Sequence, residues 1–269
     1  MSENETPSTA PPDAAIPREM PEPSGSPAQS PRPGPAANPA PARPLHGGRT
    51  FTPRRGRVTD AQRRALERLW TTWGLEVDGS RLDLRALFDT LPPDAPIVLE
   101  IGFGMGEATA RMAADDPATG ILAVDVHTPG HGHLLRLAER NGSTNLRIAN
   151  GDALVLLREM LEPDSLDGLR LYFPDPWPKK RHHKRRIVQP EFLDLAAGPL
   201  VSGALFELAT DWEPYAEHML EVLDAHPDYV NTAPDGGYAP GQGSRAPTRF
   251  EGQGLRKGHR VHDLRFRRR

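Results

Sequence analysis

The run Leu171 to Gln189, LYFPDPWPKKRHHKRRIVQ, sets an acid held between two prolines directly against a dense cationic stretch. Pro174 and Pro176 fix φ on either side of Asp175 and leave its carboxylate little freedom. Lys179, Lys180, Arg181, Lys184, Arg185 and Arg186 follow, with His182 and His183 between them. Such a run is the footprint of a surface for a phosphate backbone, here beside a rigidly placed acid, and the pairing suggests chemistry on a nucleic acid. A basic run by itself fits equally a solvated helix face or a localisation signal, so the residues upstream decide the reading.

Upstream, Leu99-Glu100-Ile101-Gly102-Phe103-Gly104-Met105-Gly106-Glu107 ends an apolar run and opens a helical pattern. Gly102, Gly104 and Gly106 let the backbone turn sharply and approach a ligand, as in nucleotide-binding βα turns. A nicotinamide dinucleotide is the usual first guess. Two details count against it: the spacing is G-x-G-x-G rather than G-x-G-x-x-G, and Glu100 places a carboxylate where a pyrophosphate would sit. A ligand with a cationic amino-acid end, such as S-adenosylmethionine, suits Glu100 instead. Asp125 closes the next strand, where an acid can accept from ribose hydroxyls, and Asp152 follows the third, where it can accept from an adenine amino group. Singly each acid is equally a helix N-cap or a loop residue. Three at successive strand ends on one sheet edge are harder to explain that way.

The elements that must position these residues alternate. Ile97 to Ile101 is expected as a strand, Ala108 to Ala114 as a helix, Ile121 to Val126 as a strand and Gly132 to Arg140 as a helix. Asn145 to Ala149, Leu166 to Phe173 and Ala204 to Thr210 follow as strands, with helices at Ala153 to Met160 and Pro214 to Leu223. Ahead of them Thr59 to Trp73 has helical spacing, with Thr59 or Asp60 as N-cap. The alternation implies an α/β fold with a mostly parallel sheet. Tyr229 to Thr232 and Val261 to Arg267 complete seven strands, the last entering antiparallel.

The chain has 269 residues and no cysteine, which excludes disulfides and thiolate metal sites. His127, His131 and His133 are too loosely tied to nearby acids to argue a metal centre. Residues 1–52 are rich in Pro, Ala, Ser and Gly and are expected as a disordered tail ahead of a single domain over 53–269. With no spanning apolar run and no signal-peptide pattern, a cytoplasmic protein is expected. The net charge of -3 requires any nucleic-acid surface to be local.

The segments RTFTPRRGRVTDAQ, VLEIGFGMGEAT, AVDVHTPGHG, LYFPDPWPKKRHHKRRIVQPEFL, LATDWEPYAEHMLEVL and TRFEGQGLRKGH together resemble the bacterial tRNA (guanine-N7)-methyltransferases of the TrmB type, over about Arg49 to Arg267. The resemblance implies a class I, Rossmann-like methyltransferase acting on the variable-loop guanine at tRNA position 46, with S-adenosylmethionine as donor, tRNA as partner and no metal or membrane, as a monomer or homodimer. It further implies that Glu100, Asp125, Asp152 and Asp175 contact the donor beside the glycines, with Asp175 also the active-site acid. Lys179, Asp211, Thr248, Arg249, Phe250 and Glu251 would hold the substrate, and Arg181, His182, His183, Lys184, Arg185 and Arg186 would meet RNA. Asp125 stands where the family usually has Glu, His131 where a small apolar residue is usual, and Arg249 where Lys is common. Trp177 is a candidate stacking surface for a base, or a core residue. Other readings of the Asp-Pro-x-Trp loop and the sheet are a methyltransferase for an exocyclic base amine, an RNA-binding or assembly protein without chemistry, and an NAD-dependent oxidoreductase.

Overall fold

A computed structural model describes residues 56–241, 245, 246, 251 and 260–269. Helix α1 (Asp60–Trp73) leads into a short strand β1 (Gly74–Glu76) and a single helical turn α2 (Leu84–Leu87). Then come β2 (Ile97–Ile101), α3 (Glu107–Asp115), β3 (Gly120–Asp125), α4 (Thr128–Asn141), β4 (Leu146–Asn150) and α5 (Ala153–Val155). A π-helical turn, Leu156–Met160, prolongs α5. After β5 (Leu166–Tyr172) and a 3₁₀ turn at Lys180–Arg185, the chain ends α6 (Pro190–Ala197), β6 (Leu200–Thr210), α7 (Glu213–Asp224), β7 (Tyr229–Asn231) and β8 (His262–Arg268).

The start of α1 shows why local sequence places these elements. The Thr59 hydroxyl accepts from the Gln62 N–H at 3.3 Å, and the Gln62 side chain accepts from the Thr59 N–H at 2.8 Å, closing a capping box. The strands form one sheet of order β1-β4-β3-β2-β5-β6-β8-β7, in which β8 alone runs antiparallel to its neighbours. The sequence predicts seven strands; among the described residues there are eight. The additional one is β1, whose three residues carry too short a pattern to register as a strand and which forms only by pairing with β4.

Side-chain alternation divides the core in two. Ile97, Leu99 and Ile101 face one layer with Leu169, Leu171, Phe192, Phe206 and Tyr215. Ile121, Ala123, Leu134, Ala138 and Tyr172 form the other with Leu66, Leu69 and Trp70 of α1. The closest packing is between α4 and the loop after β2. A Cβ added to Gly130 would lie 1.8 Å from the Gly104 carbonyl oxygen, so the helix start can approach the loop only with glycine there.

Gly130→Ala should therefore force helix and loop apart, costing about 2 kcal/mol or more. Thermal unfolding checks this, with a fall of roughly 4–8 °C expected for a domain of this size; an unchanged midpoint would mean the contact is relaxed at no cost.

Candidate active site

Parallel strands put their carboxyl ends on one edge, and the order of the sheet sorts the acids along it. Asp152, Asp125, Glu100, Asp175 and Asp211 stand at or just beyond the ends of β4, β3, β2, β5 and β6, which are consecutive neighbours. At roughly 4.8 Å per strand, Asp152 and Asp175 are separated by about 14 Å across the sheet, the reach of an extended nucleoside with an amino-acid arm.

In the middle, the loop after β2 turns with Gly102, Gly104 and Gly106 at φ of +79°, +61° and +79°. A Cβ on Gly102 would meet nothing within 4 Å, so the backbone there borders open space. Glu100 lies just behind it, 4% exposed. Its Oε1 accepts from the Thr109 hydroxyl at 3.0 Å, while Oε2 is buried with no hydrogen-bond partner. Burial pushes this carboxyl up to about 7, against the pull of Arg170 and the Thr109 hydrogen bond, with Asp125 adding to the rise. A buried carboxylate oxygen without a donor, beside open space, suits a cationic group, and the ammonium of S-adenosylmethionine fits.

Asp125 first serves the loop itself. Its Oδ2 accepts from the Gly104 N–H at 2.8 Å, and its Oδ1 from the N–H groups of Val126 and His127 at 2.7 and 3.0 Å. A carboxylate has about four acceptor positions, so room remains for a ribose hydroxyl. His131 is buried against Trp70 and Phe103 and donates through Nε2 to the Asp125 carbonyl at 2.9 Å. Burial lowers its pKa despite the attraction of Asp125, so it acts as a neutral brace rather than a charge at the donor site. Asp152 caps α5, accepting from the Leu154 N–H at 2.9 Å. Beyond it, β1 contributes Glu76, whose Oε2 accepts from Asn150 Nδ2 at 2.8 Å.

The loop after β5 is held in an uncommon backbone state. Phe173 and Trp177, neither of them glycine, have φ of +52° and +44° and bracket the Pro-Asp-Pro segment. Arg186 anchors it: fully inside, it donates to the Pro176 carbonyl at 3.0 Å and to the Pro214 carbonyl at 3.3 Å, over the ring of Tyr215. The expectation that Arg186 meets RNA is thereby corrected, because at 2% exposure its guanidinium is spent on the loop. Tyr215 is itself buried, and burial drives its hydroxyl well above the ordinary value.

The basic run forms a 3₁₀ turn, in which residues three apart lie on one face. Arg181 and Lys184 share an exposed face, with Lys179 and Lys180 exposed before them. His182 and Arg185 turn to Trp177, the first edge-on at 5.8 Å and the second with its guanidinium 4.9 Å from the ring centroid. Trp177 is half-buried: its ring neither enters the core nor stands free. His182 is held below its ordinary value by desolvation and by Arg185, Arg181 and Lys179.

Asp211 follows β6 at the same edge. Glu251, expected to hold substrate, is drawn into a buried cluster with Arg245, which donates to it at 2.7 Å and to Asp263 on β8 at 2.9 Å. Arg245 also lies over the rings of Tyr172 and Phe173, which fastens the late loop to the end of β5. Thr248, Arg249 and Phe250, like Arg54, Arg55 and residues 1–52, lie outside the described residues. Sequence reasoning missed Glu76, Asn150, Arg170 and Arg245. For Arg170 the signal was there, a charge on the buried face of a strand; the other three depend on distant partners.

Among the described residues no helix is long and apolar enough to cross a membrane, and no cluster of three or more His, Cys, Asp or Glu side chains could hold a metal ion. A family model described as a putative methyltransferase matches residues 94–264. A tRNA (guanine-N(7)-)-methyltransferase of Streptomyces avermitilis is 70% identical over 82% of this chain and 75% of its own. Relatives of the same name from Streptomyces coelicolor and Halorhodospira halophila are 66% and 52% identical, over 82% and 81% of this chain and 80% and 94% of theirs. Among solved structures, the 16S rRNA methyltransferase KamB matches at 17% identity and a TM-score of 0.49, over 71% of this chain and 95% of that one. The glycine loop, the buried Glu100 and the braced Pro-Asp-Pro segment stand along one edge of a mostly parallel sheet, and by its family model and its relatives the chain belongs to the family of tRNA (guanine-N(7)-)-methyltransferases.

Proposed function

We propose that this enzyme methylates N7 of the variable-loop guanine at position 46 of tRNA, in the cytoplasm. The observation that carries the reading is the pairing of Glu100 and Asp175 on adjacent strand ends: one acid buried behind the glycine loop with an oxygen free for a cation, the other fixed between prolines next to exposed lysines and arginines.

When bound, S-adenosylmethionine supplies an electrophilic methyl group on a sulfonium. Glu100 would hold its ammonium, Asp125 its ribose and Asp152 its adenine, while Gly102, Gly104 and Gly106 would let the backbone come close. N7 of guanine carries a lone pair and no proton, so nothing need be deprotonated for it to accept the methyl group. The base takes up the positive charge. The work left to the protein is alignment and charge compensation, and Asp175 does both: its carboxylate orients the guanine and offsets the cation developing at N7. Lys179, Asp211, Thr248, Arg249 and Phe250 hold the substrate, and Arg181 and Lys184 take its phosphates.

Asp175→Asn keeps size and polarity and removes the charge. Turnover should fall about a hundredfold or more, with donor and tRNA affinities little changed. Borohydride and aniline cleavage, read at nucleotide resolution, reports 7-methylguanine; wild-type methylation at another nucleotide would overturn the position, and full activity of the variant would overturn the role of Asp175.

Glu100 also predicts a pH dependence. In the free protein its carboxyl is raised to about 7, and the donor's ammonium requires the ionised form. Below that pH, binding must expel a proton, so affinity should drop by up to tenfold per pH unit from 7 towards 5.5. Calorimetry in buffers of different ionisation enthalpy should register proton release at pH 6. In Glu100→Gln both the release and the slope should vanish; a slope that persists in the variant would assign it elsewhere.

A further inference from the structure

Outside the edge just described, the strongest concentration of charge lies between α1 and α4. The two helices run side by side in the same direction, with Gly132 against Gln62 near their starts and the Trp73 indole donating to the Ser143 carbonyl at 2.8 Å near their ends. Between them is a groove of about 480 Å³. One wall carries Arg64 and Arg68, the other Arg136 and Arg140, all four exposed, over a floor of Ala65 and Leu137.

We propose that this groove is a second tRNA-binding surface, holding the ribose-phosphate backbone of a part of the molecule away from the methylated base. The proposal rests on tRNA being the substrate. Its spacing is regular: on each helix the arginines are four residues apart, about 6 Å along the axis, so the walls present matched pairs of cations. A merely solvated face would be neutralised by acids one turn away, as Arg63 is by Asp60 and Arg111 by Asp115 on other faces of these helices and α3. Here like charges stand one turn apart on both helices, an arrangement that costs helix stability, and of the acids a turn away Asp60 is paired with Arg63, Glu139 with Arg68, and Glu67 makes no ion pair with Arg64. Glu139 is the acid lining the groove, and its carboxylate is taken by Arg68 in a two-pronged pair, the second bond at 2.8 Å. No described carboxylate forms an ion pair with Arg64, Arg136 or Arg140. In a chain whose net charge is -3, such a cluster marks an anionic partner.

The groove is also continuous with the reaction edge. His133, at its upper end, bonds through Nδ1 to the carbonyl of Met105 in the glycine loop at 2.8 Å. From there α4, 14 residues long, carries the arginines roughly 10 Å down the side of the domain. A strand of RNA whose guanine enters the site next to Asp175 is large enough to continue over this flank. A membrane surface fits less well, because large apolar anchors are missing around the groove: among the described residues the exposed large hydrophobe is Val230, on β7 at the opposite end of the sheet.

The test is the triple variant Arg64→Gln, Arg136→Gln, Arg140→Gln, which spares the Arg68–Glu139 pair. With full-length tRNA, KM should rise about tenfold at physiological salt, and the slope of log affinity against log salt should shrink by roughly 0.7–0.9 per lost phosphate contact. Turnover at saturating tRNA and donor affinity should match the wild type. A short hairpin carrying the target guanine lacks the part of tRNA assigned to the groove, so on it variant and wild type should have equal KM. Should the triple variant not fold, Arg136→Glu alone must show the same direction of change. Wild-type KM and salt slope for full-length tRNA in the variant would overturn the proposal, including the case in which the groove serves an acidic protein surface. If the wild-type enzyme does not methylate tRNA at guanine N7 at all, it is the substrate reading that fails.

Discussion

The structure is organised around a carboxylate that it cannot fully satisfy. Glu100 sits in the central strand, inside the fold, and an ionised acid there is tolerated only beside opposite charge. The sheet provides it in a row. Glu100 is registered against Arg170 on β5, Arg170 against Glu207 on β6, and Glu207 against Arg265 on β8. Glu207 lies 3.7 Å from Arg170 and 3.4 Å from Arg265, and accepts from the Tyr172 hydroxyl at 3.3 Å. The signs alternate across four strands. The row is still loose at the Glu100 end, where Oε2 of the acid and two guanidinium nitrogens of Arg170 lack hydrogen bonds. That shortfall is what a bound cation would relieve.

A second constraint acts on Asp175. A loop with two non-glycine residues at positive φ is costly, on the order of 1–3 kcal/mol for each, and persists only when its surroundings over-determine it. Arg186, Tyr215 and the carbonyls of Pro176 and Pro214 do so from below, while Arg245 lies over Phe173 where the loop leaves the strand. The basic run thus divides its labour: Arg186 builds the loop, Arg185 and His182 pack on Trp177, and Lys180, Arg181 and Lys184 remain outward. For a reaction whose acceptor needs no deprotonation, rigid placement of one charge is the larger part of what a protein can contribute.

The placement of α1 links these themes. Its capping box starts it, β1 ends it by adding to the edge of the sheet beside β4, and Glu76 then reaches Asn150, two residues before Asp152. The same helix supplies one wall of the arginine groove. A helix that precedes the alternating strands and helices therefore extends the sheet edge at one end and offers charge to solvent on another face.

Much of this was legible in the chain itself, because it depends on local spacing. Alternating apolar runs determined the parallel sheet, the glycine spacing with Glu100 favoured a ligand with a cationic end over a dinucleotide, and prolines around Asp175 marked a fixed acid. The capping box of α1 and the N-cap role of Asp152 are likewise short-range matters. Only the tertiary structure decided what depends on partners far along the chain. Arg186 reads as one more cation in a basic run, and only the carbonyl of Pro214 and the ring of Tyr215 show that it is internal. Glu251 reads as a loop acid, until Arg245 and Asp263 bury it. β1 is too short to carry a pattern and exists because β4 has an open edge. The arginines of α1 and α4 are separated by about 70 residues and become one surface only when the helices pack: spacing along a chain encodes which face a side chain occupies, but packing alone determines which faces meet.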